Sequence, residues 1–396
     1  MTKKKVLLRA PLLTNSGYGV HSRQLFEWLF KKEDIDLTVE CLKWGNTSWL
    51  IDPNDLDGLV GKIMSCSRDV KKELFDISFQ VQLPDEWDIK LAKKNIGVTA
   101  AVETDICSQS WIDNVNKMDE IIVPSSFTKN VLLNSGIVNK HINVVPEWFN
   151  KKSTDRSGIS KTLNNKEFDK IDNNFNFLVV GQLTAIDPET DRKNIFNTIK
   201  WLCEEFKDNK DVGIVIKTNM GRSSDSDKKN VINYFKKVIE TIRNGSDYPK
   251  IKVLHGKMTD LEIMSLYNHN KIKAYVSCTR GEGYGLPLIE AASSGLPIIA
   301  TNWSGHLDFL ADQFTPVDYH LVDLPPQRID ERIFVNKSKW ANPSEESFKK
   351  SIRNVYENYY DAKEKSKNLK KHVLQNFNDK LICNEYDKIF KRVINK

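Results

Sequence analysis

Glu282 and Glu290 stand eight positions apart in the segment Arg280-Gly-Glu-Gly-Tyr-Gly-Leu-Pro-Leu-Ile-Glu290, which runs on through Ala-Ala-Ser-Ser to Gly295. A carboxylate accepts two hydrogen bonds side by side, which matches the vicinal diol of a sugar or a ribose. The apolar run Ile272–Ser277 reads as a strand, so Gly281, Gly283 and Gly285 fall at its carboxyl end, where α/β folds bind ligands. Pro287 suits the first turn of a helix and Gly295 its stop. Glycines let the backbone approach a ligand closely, and a helix start offers free N–H groups to a phosphate. Glu282 then sits in the loop and Glu290 about one turn into the helix, so both can face one ligand from two depths. The same residues also read as a tight strand–helix turn with two solvated glutamates.

Other groups could join such a site. Phe177–Val180 leads into Gly181, and Asp191-Arg-Lys-Asn194 precedes a helical pattern. Arg192 and Lys193 beside a helix start suit a ligand carrying about two negative charges, or form a solvated basic turn. Gly17-Tyr18-Gly19 lies between a strand and a helix, as a ligand loop or a plain turn. Ser22 stands where the dinucleotide fingerprint G-x-G-x-x-G needs its last glycine, which argues against an NAD-dependent oxidoreductase. Glu103, in Thr99-Ala-Ala-Val-Glu-Thr-Asp105, ends another strand and is either an acceptor-side group or structural. Trp44 and Trp49 could stack on a base or a sugar ring, or pack in the core. His21, just after the glycine loop, could reach a cleft but is expected on a helix surface. The pairs Asp34/Asp36, Asp55/Asp57 and Asp225/Asp227 lie in polar stretches and read as solvated charge. No histidine spacing suggests a metal site, and none is expected.

The positioning elements follow from periodicity. Val6–Arg9, Leu37–Cys41, Ile77–Val81, Asn95–Ala100, Glu120–Val123 and Ile142–Val145 read as strands. Val20–Phe30 and Ser125–Ser135 read as helices, the second closed by Gly136. A polar stretch, Asn150 to Asn176, is the expected linker. The pattern then restarts with strands at Phe177–Val180, Val212–Ile216, Ile251–Leu254 and Ile272–Ser277. Helices run through Ile195–Phe206 and through Phe235 and Ile239, and Thr259 with Glu262 forms a capping-box pair. The last fifty residues are charged and mainly helical. This alternation implies an α/β fold of two Rossmann-like halves with parallel sheets, and two such halves enclose a cleft suited to a ligand.

Composition fits that picture. The 396 residues exceed one ordinary core and suit two domains; 40% are apolar and 28% charged, as in a globular protein. Lys+Arg (59) exceed Asp+Glu (53) by a mild +6, which permits an anionic partner without requiring one. The six cysteines form no C-x-x-C pair, which fits a reducing cytoplasm. Arg9 interrupts the only apolar start, and no stretch approaches a membrane span. A soluble, cytoplasmic protein is expected.

The segment Glu282-Gly-Tyr-Gly-Leu-Pro-Leu-Ile-Glu290, followed by Ala-Ala-Ser-Ser-Gly-Leu-Pro-Ile-Ile-Ala-Thr301, closely resembles the E-x7-E segment of retaining GT-B glycosyltransferases of family 4 type. Asn302–Leu310 is similar to the family's next loop. The resemblance implies a GT-B fold, with two Rossmann-like domains facing a central cleft and a C-terminal helix, about 378–396, crossing back to the first. It divides the chain into an acceptor-side domain, 1–165, and a donor domain, 170–377. It implies a nucleoside-diphosphate sugar, UDP- or GDP-linked, as donor substrate, and no cofactor or metal. Glu290 would hold the ribose, Glu282 would lie at the donor sugar, and Arg192 and Lys193 would meet the diphosphate. Gln182 occupies a place where many relatives carry Arg, which puts the weight on those two cations. Gly283, Tyr284, Gly285 and Leu286 would line the donor, Lys257 and Met258 would flank the nucleobase, and Gly17, Tyr18 and Gly19 would face the donor from the other domain. Leu8–Gly19, Asp76–Trp87 and Asn95–Ala100 look similar to glycosyltransferases of tailed phages. That implies as acceptor a hydroxymethylated base of phage DNA, with a cell-envelope glycan or a protein as the other readings. A non-catalytic nucleotide-sugar binding protein is a further alternative.

Overall fold

A computed structural model describes residues 3–70, 73–163, 171–243 and 245–394. Its contacts divide the chain into two compact units. Unit 1 holds the chain through Trp148, the excursion Ile329–Ser338 and the residues from Asn378 onward; unit 2 holds Phe149–Arg328 and Lys339–Phe377. The domain boundary expected at 165–170 lies outside the described residues. Within the expected linker, Lys151–Thr154 is a 3-10 turn and Arg156–Leu163 a helix, both in unit 2.

In unit 1 the short apolar runs become the strands β1 (Lys4–Ala10), β2 (Ile35–Cys41), β3 (Phe75–Val81), β4 (Ala92–Val98), β5 (Glu120–Val123) and β6 (Ile142–Val144). Between them lie the helices α1 (Gly17–Phe30), α2 (Leu59–Cys66), α3 (Gln109–Val115) and α4 (Ser126–Ser135). The sheet runs β2-β1-β3-β4-β5-β6 and every pairing is parallel. Helix α1 begins three residues before the expected Val20, because the Ser16 hydroxyl accepts the Gly19 N–H and caps the first turn.

Unit 2 begins with α5 (Arg156–Leu163), then β7 (Phe175–Val180), α6 (Ile195–Glu205), β8 (Val212–Thr218), α7 (Asp225–Arg243), β9 (Lys250–His255), α8 (Asp260–Tyr267) and β10 (Ile272–Ser277). It continues with α9 (Leu286–Ser294), β11 (Ile298–Thr301), α10 (Leu307–Leu310), β12 (Thr315–Val317), β13 (Tyr319–Asp323), β14 (Lys339–Pro343), α11 (Glu345–Glu357) and α12 (Tyr359–Asn376). The main sheet is parallel, in the order β9-β8-β7-β10-β11-β12. Numbered within the unit, that is 3-2-1-4-5-6, the doubly wound arrangement of dinucleotide-binding folds. The Thr259/Glu262 capping box forms at α8 as expected. Strands β13 and β14 make a separate antiparallel pair.

The last helix, α13 (Asp379–Ile394), belongs to unit 1. Its Ile382, Tyr386, Ile389, Phe390 and Val393 share a core with Leu8, Trp28 and Phe79. Polar bonds fix its register. Asp387 accepts from Trp28 Nε1 at 2.8 Å and Lys32 Nζ at 2.6 Å, and Arg392 pairs with the buried Glu120 at 2.9 Å.

Candidate active site

In a doubly wound sheet, ligands bind at the carboxyl ends of the strands where the order reverses, which in unit 2 is between β7 and β10. The loops that leave these two strands meet there. The Arg280 N–H donates to the Arg192 carbonyl at 2.8 Å, and the Arg192 guanidinium donates back to the Gly281 carbonyl. Buried Asp191 shapes the first loop. It accepts from the Thr184 hydroxyl at 2.5 Å, from the Lys193 N–H, and from the Ile195 N–H at 2.9 Å, capping α6 where the left-handed Asn194 makes no side-chain cap. The loop thereby presents Arg192 and Lys193 side by side.

Glu282 faces both. Lys193 Nζ lies 2.6 Å and 2.9 Å from its two carboxylate oxygens, and Arg192 Nη1 lies 3.6 Å away. All three side chains are largely buried. Burial alone would push the Glu282 carboxyl up; Lys193 and then Arg192 outweigh it and hold it down to about 2. The backbone of Glu282 is clamped as well. Its N–H donates to Ser304 Oγ at 2.9 Å, and its carbonyl accepts the Gly305 N–H at 2.9 Å. A Cβ on Gly305 would stand 2.1 Å from the Gly283 carbonyl oxygen, so no other residue fits without moving the loop. Gly305→Ala is therefore expected to lower turnover by tenfold or more, an order of magnitude that displacement of a positioned group of this kind costs. A cooperative melt by circular dichroism checks that the fold survives the substitution.

Helix α9 starts at the same place. Gly285, at φ 102°, turns the chain into it, Pro287 occupies its first turn, and the left-handed Gly295 ends it. The Tyr284 ring is buried against Phe309, with centroids 5.2 Å apart, so its side chain serves the core. Glu290 lies on α9 near Tyr267 and Asp260. Burial first, and the Asp260 charge second, push its carboxyl up to about 8. An acid raised in the folded state stabilises fully below its unfolded value near 4.5 and loses that contribution as pH rises to about 8. Glu290→Gln should thus raise the melting temperature at pH 8–9 and leave it unchanged near pH 4, which thermal melts at the two pH values check.

The remaining expected residues fall in different places. Gln182 is exposed, Lys257 is exposed, and Met258 is half-buried at the edge of the unit 2 core beyond β9. In unit 1, Tyr18 stacks on Trp44 with centroids 4.1 Å apart, and its hydroxyl bonds to Thr99 Oγ1 and accepts the Ala100 N–H, both at 3.0 Å. Glu103 is half-buried in the loop after β4; burial first, with the Glu103 charge as a smaller contribution, raises the Tyr18 phenol. Gly19 is sterically required, since a Cβ there would stand 2.2 Å from the Thr14 carbonyl. The Gly17–Gly19 loop, Trp44 and Glu103 thus gather at the carboxyl edge of the unit 1 sheet, and Trp49 pairs its backbone with Thr14 and is 40% exposed.

Two expectations fail. His21 is not on a surface: it is 1% exposed, its Nε2 lies 3.0 Å from the Tyr386 hydroxyl, and burial lowers it to about 4. Helix α13 covers the face that the local pattern left open. Asp227 is not solvated charge either. It pairs with His255 Nε2 at 2.7 Å and accepts the Met220 N–H. Missed in turn was Arg280, whose guanidinium lies under the Trp340 ring at 5.4 Å and reaches Asn342 on β14. A groove of about 540 Å³ opens at the opposite, amino-terminal ends of β7–β9, lined by Asn173, Asn176 and Lys250, away from all these groups.

Comparison with known proteins bears on this geometry. Residues 267–379 match the family described as "Family 4 Glycosyltransferase in conflict systems". No curated protein matches the chain in sequence. Among solved structures, a glycosyltransferase from Rickettsia africae ESF-5 superposes with a TM-score of 0.67 at 15% identity, covering 100% of this chain and 99% of that one. Sucrose-phosphate synthase from Thermosynechococcus elongatus gives 0.65 at 15% identity, covering 99% and 100%. Anabaena HepE, in complex with UDP and glucose, gives 0.64 at 14% identity, covering 98% and 100%. At these identities the structures show the fold. The chain has the GT-B fold, and the segment that carries Glu282 and Glu290 lies within the stretch that matches the family 4 glycosyltransferase model.

Proposed function

We propose that the protein transfers a sugar from a nucleoside-diphosphate sugar to an acceptor hydroxyl with retention at the anomeric carbon. One observation carries this reading: Arg192, Lys193 and Glu282 converge beside the start of α9, at the strand reversal of a doubly wound sheet. The bond between the anomeric carbon and the diphosphate oxygen breaks, leaving positive charge on the sugar and negative charge on the phosphate. Arg192, Lys193 and the N–H groups opening α9 meet the negative charge, which is largest in the transition state. Glu282 accepts hydrogen bonds from sugar hydroxyls, and Glu290 from the ribose diol. The acceptor oxygen bonds to the vacated face, and its proton leaves on the departing phosphate. The fixed cations supply the charge that a metal supplies elsewhere, so turnover is expected to survive a chelator.

UDP is the nucleotide to try first, because HepE was solved with UDP and with UDP-glucose. For the acceptor we carry forward the sequence expectation of a hydroxymethylated base of DNA, an anionic partner that the net charge of +6 permits. Glu103 is assigned to acceptor handling. We place the enzyme in the cytoplasm; no helix among the described residues is long and apolar enough to cross a membrane. The test is a panel of UDP- and GDP-sugars against hydroxymethylcytosine DNA, glycans and proteins, read by mass spectrometry and anomeric NMR, with and without EDTA. Transfer with retention, unaffected by EDTA, is expected. Release of no nucleoside diphosphate from any donor would contradict the reading, and an inverted product would overturn the mechanism.

A further inference from the structure

Lys217 is the next-to-last residue of β8, in register with Val180, the last residue of β7. It follows Val215 by two positions, so it shares the sheet face that packs under α8 and α9 through Val215, Leu178 and Leu254. That is the face from which α9 presents Glu290. The backbone ties Lys217 to the cation loop, because its carbonyl accepts the Gly181 N–H at 3.1 Å. The Lys193 methylenes pass over that same Gly181, with Cδ only 3.7 Å from where a Cβ would be. The Lys217 ammonium bonds to the Gly256 carbonyl at 2.5 Å, at the turn after β9.

This is an uncompensated cation. Among the described residues no carboxylate lies within ion-pair distance of its ammonium, and burial lowers it to about 8 with no opposing charge. Arg192 and Lys193, one strand away, are balanced by Glu282. Burying an ammonium against a neutral carbonyl is costly, and the natural relief is an anion. A lysine at this strand position serves packing no better than an apolar residue would.

We propose that Lys217 is a third cation of the donor site, holding the diphosphate of the nucleotide from the β8 side. The inference rests on the donor reading above and adds a residue to it. A base carbonyl is the competing target, and the chemistry favours phosphate because a compact point charge gains most from an anion.

The test measures binding of UDP and of uridine to the full chain by calorimetry and by displacement, for wild type, Lys217→Met and Lys217→Arg. Lys217→Met should weaken UDP by roughly 10- to 100-fold, flatten its salt dependence and leave uridine unchanged. Lys217→Arg should restore UDP to within a few-fold. Unchanged UDP affinity in a cooperatively folded Lys217→Met overturns the proposal, as does an equal loss for UDP and uridine, which assigns the cation to the base. Failure of the wild-type chain to bind any nucleoside diphosphate strikes the donor reading itself.

Discussion

Glu282→Ala is expected to bind UDP several-fold more tightly than the wild-type chain and to lose transfer by about 10³-fold. The two effects have one origin. In the ligand-free protein, Glu282 neutralises Lys193 at 2.6 Å and Arg192 at 3.6 Å, so an incoming diphosphate must compete with a carboxylate for both cations. Removing the carboxylate frees the cations and also removes the group that orients the sugar. Calorimetry with UDP and single-turnover rates separate the two. A parallel loss of binding and turnover would show that Glu282 acts only by holding the loop. Glu282→Gln adds a pH signature. A carboxyl held down to about 2 contributes stability that is fully present above pH 4.5 and is lost as pH falls towards 2. That contribution is about 3 kcal/mol at most, and the amide lacks it.

Arg192→Ala and Lys193→Ala are each expected to raise the donor KM by roughly 10- to 100-fold, the worth of one charge-assisted contact to a phosphate. Their double mutant should fall short of the product of the two losses, because both cations touch Glu282 and are coupled through it. Lys193→Ala should further move the acid limb of the pH–rate profile upward, since Glu282 loses its nearest cation while staying buried. Steady-state kinetics over pH checks both statements. Strict multiplicativity, with an unmoved acid limb, would mean that the ion pair is not maintained in solution.

The grouping of Arg192, Lys193 and Glu282 was legible in the sequence because it is built from local units. Glu282 and Glu290 lie on one strand–loop–helix unit, and Arg192 with Lys193 on another, so spacing and loop glycines suffice to place them. The parallel strands β5 and β10 match their apolar runs residue for residue. The illegible parts are those set by distant partners. His21 reads as a surface residue until α13 supplies Tyr386, 365 residues on. Arg280 gains its meaning from Trp340 and Asn342, on a hairpin strand of five residues that no periodicity separates from loop. Asp227 reads as surface charge until β9 brings His255 beside it. Lys217 lies one residue past the expected strand Val212–Ile216, and only the absence of a compensating carboxylate among the described residues draws attention to it. Strands β11 and β12, of four and three residues, are too short for a periodic signal.

A crystal structure of the chain with UDP tests the central claim most directly. The account predicts ribose hydroxyls on Glu290 and the diphosphate between Arg192, Lys193 and the first turn of α9, with the Lys193 ammonium drawn away from Glu282. A nucleotide bound elsewhere, or bound here with the Lys193–Glu282 pair intact at 2.6 Å, would contradict it.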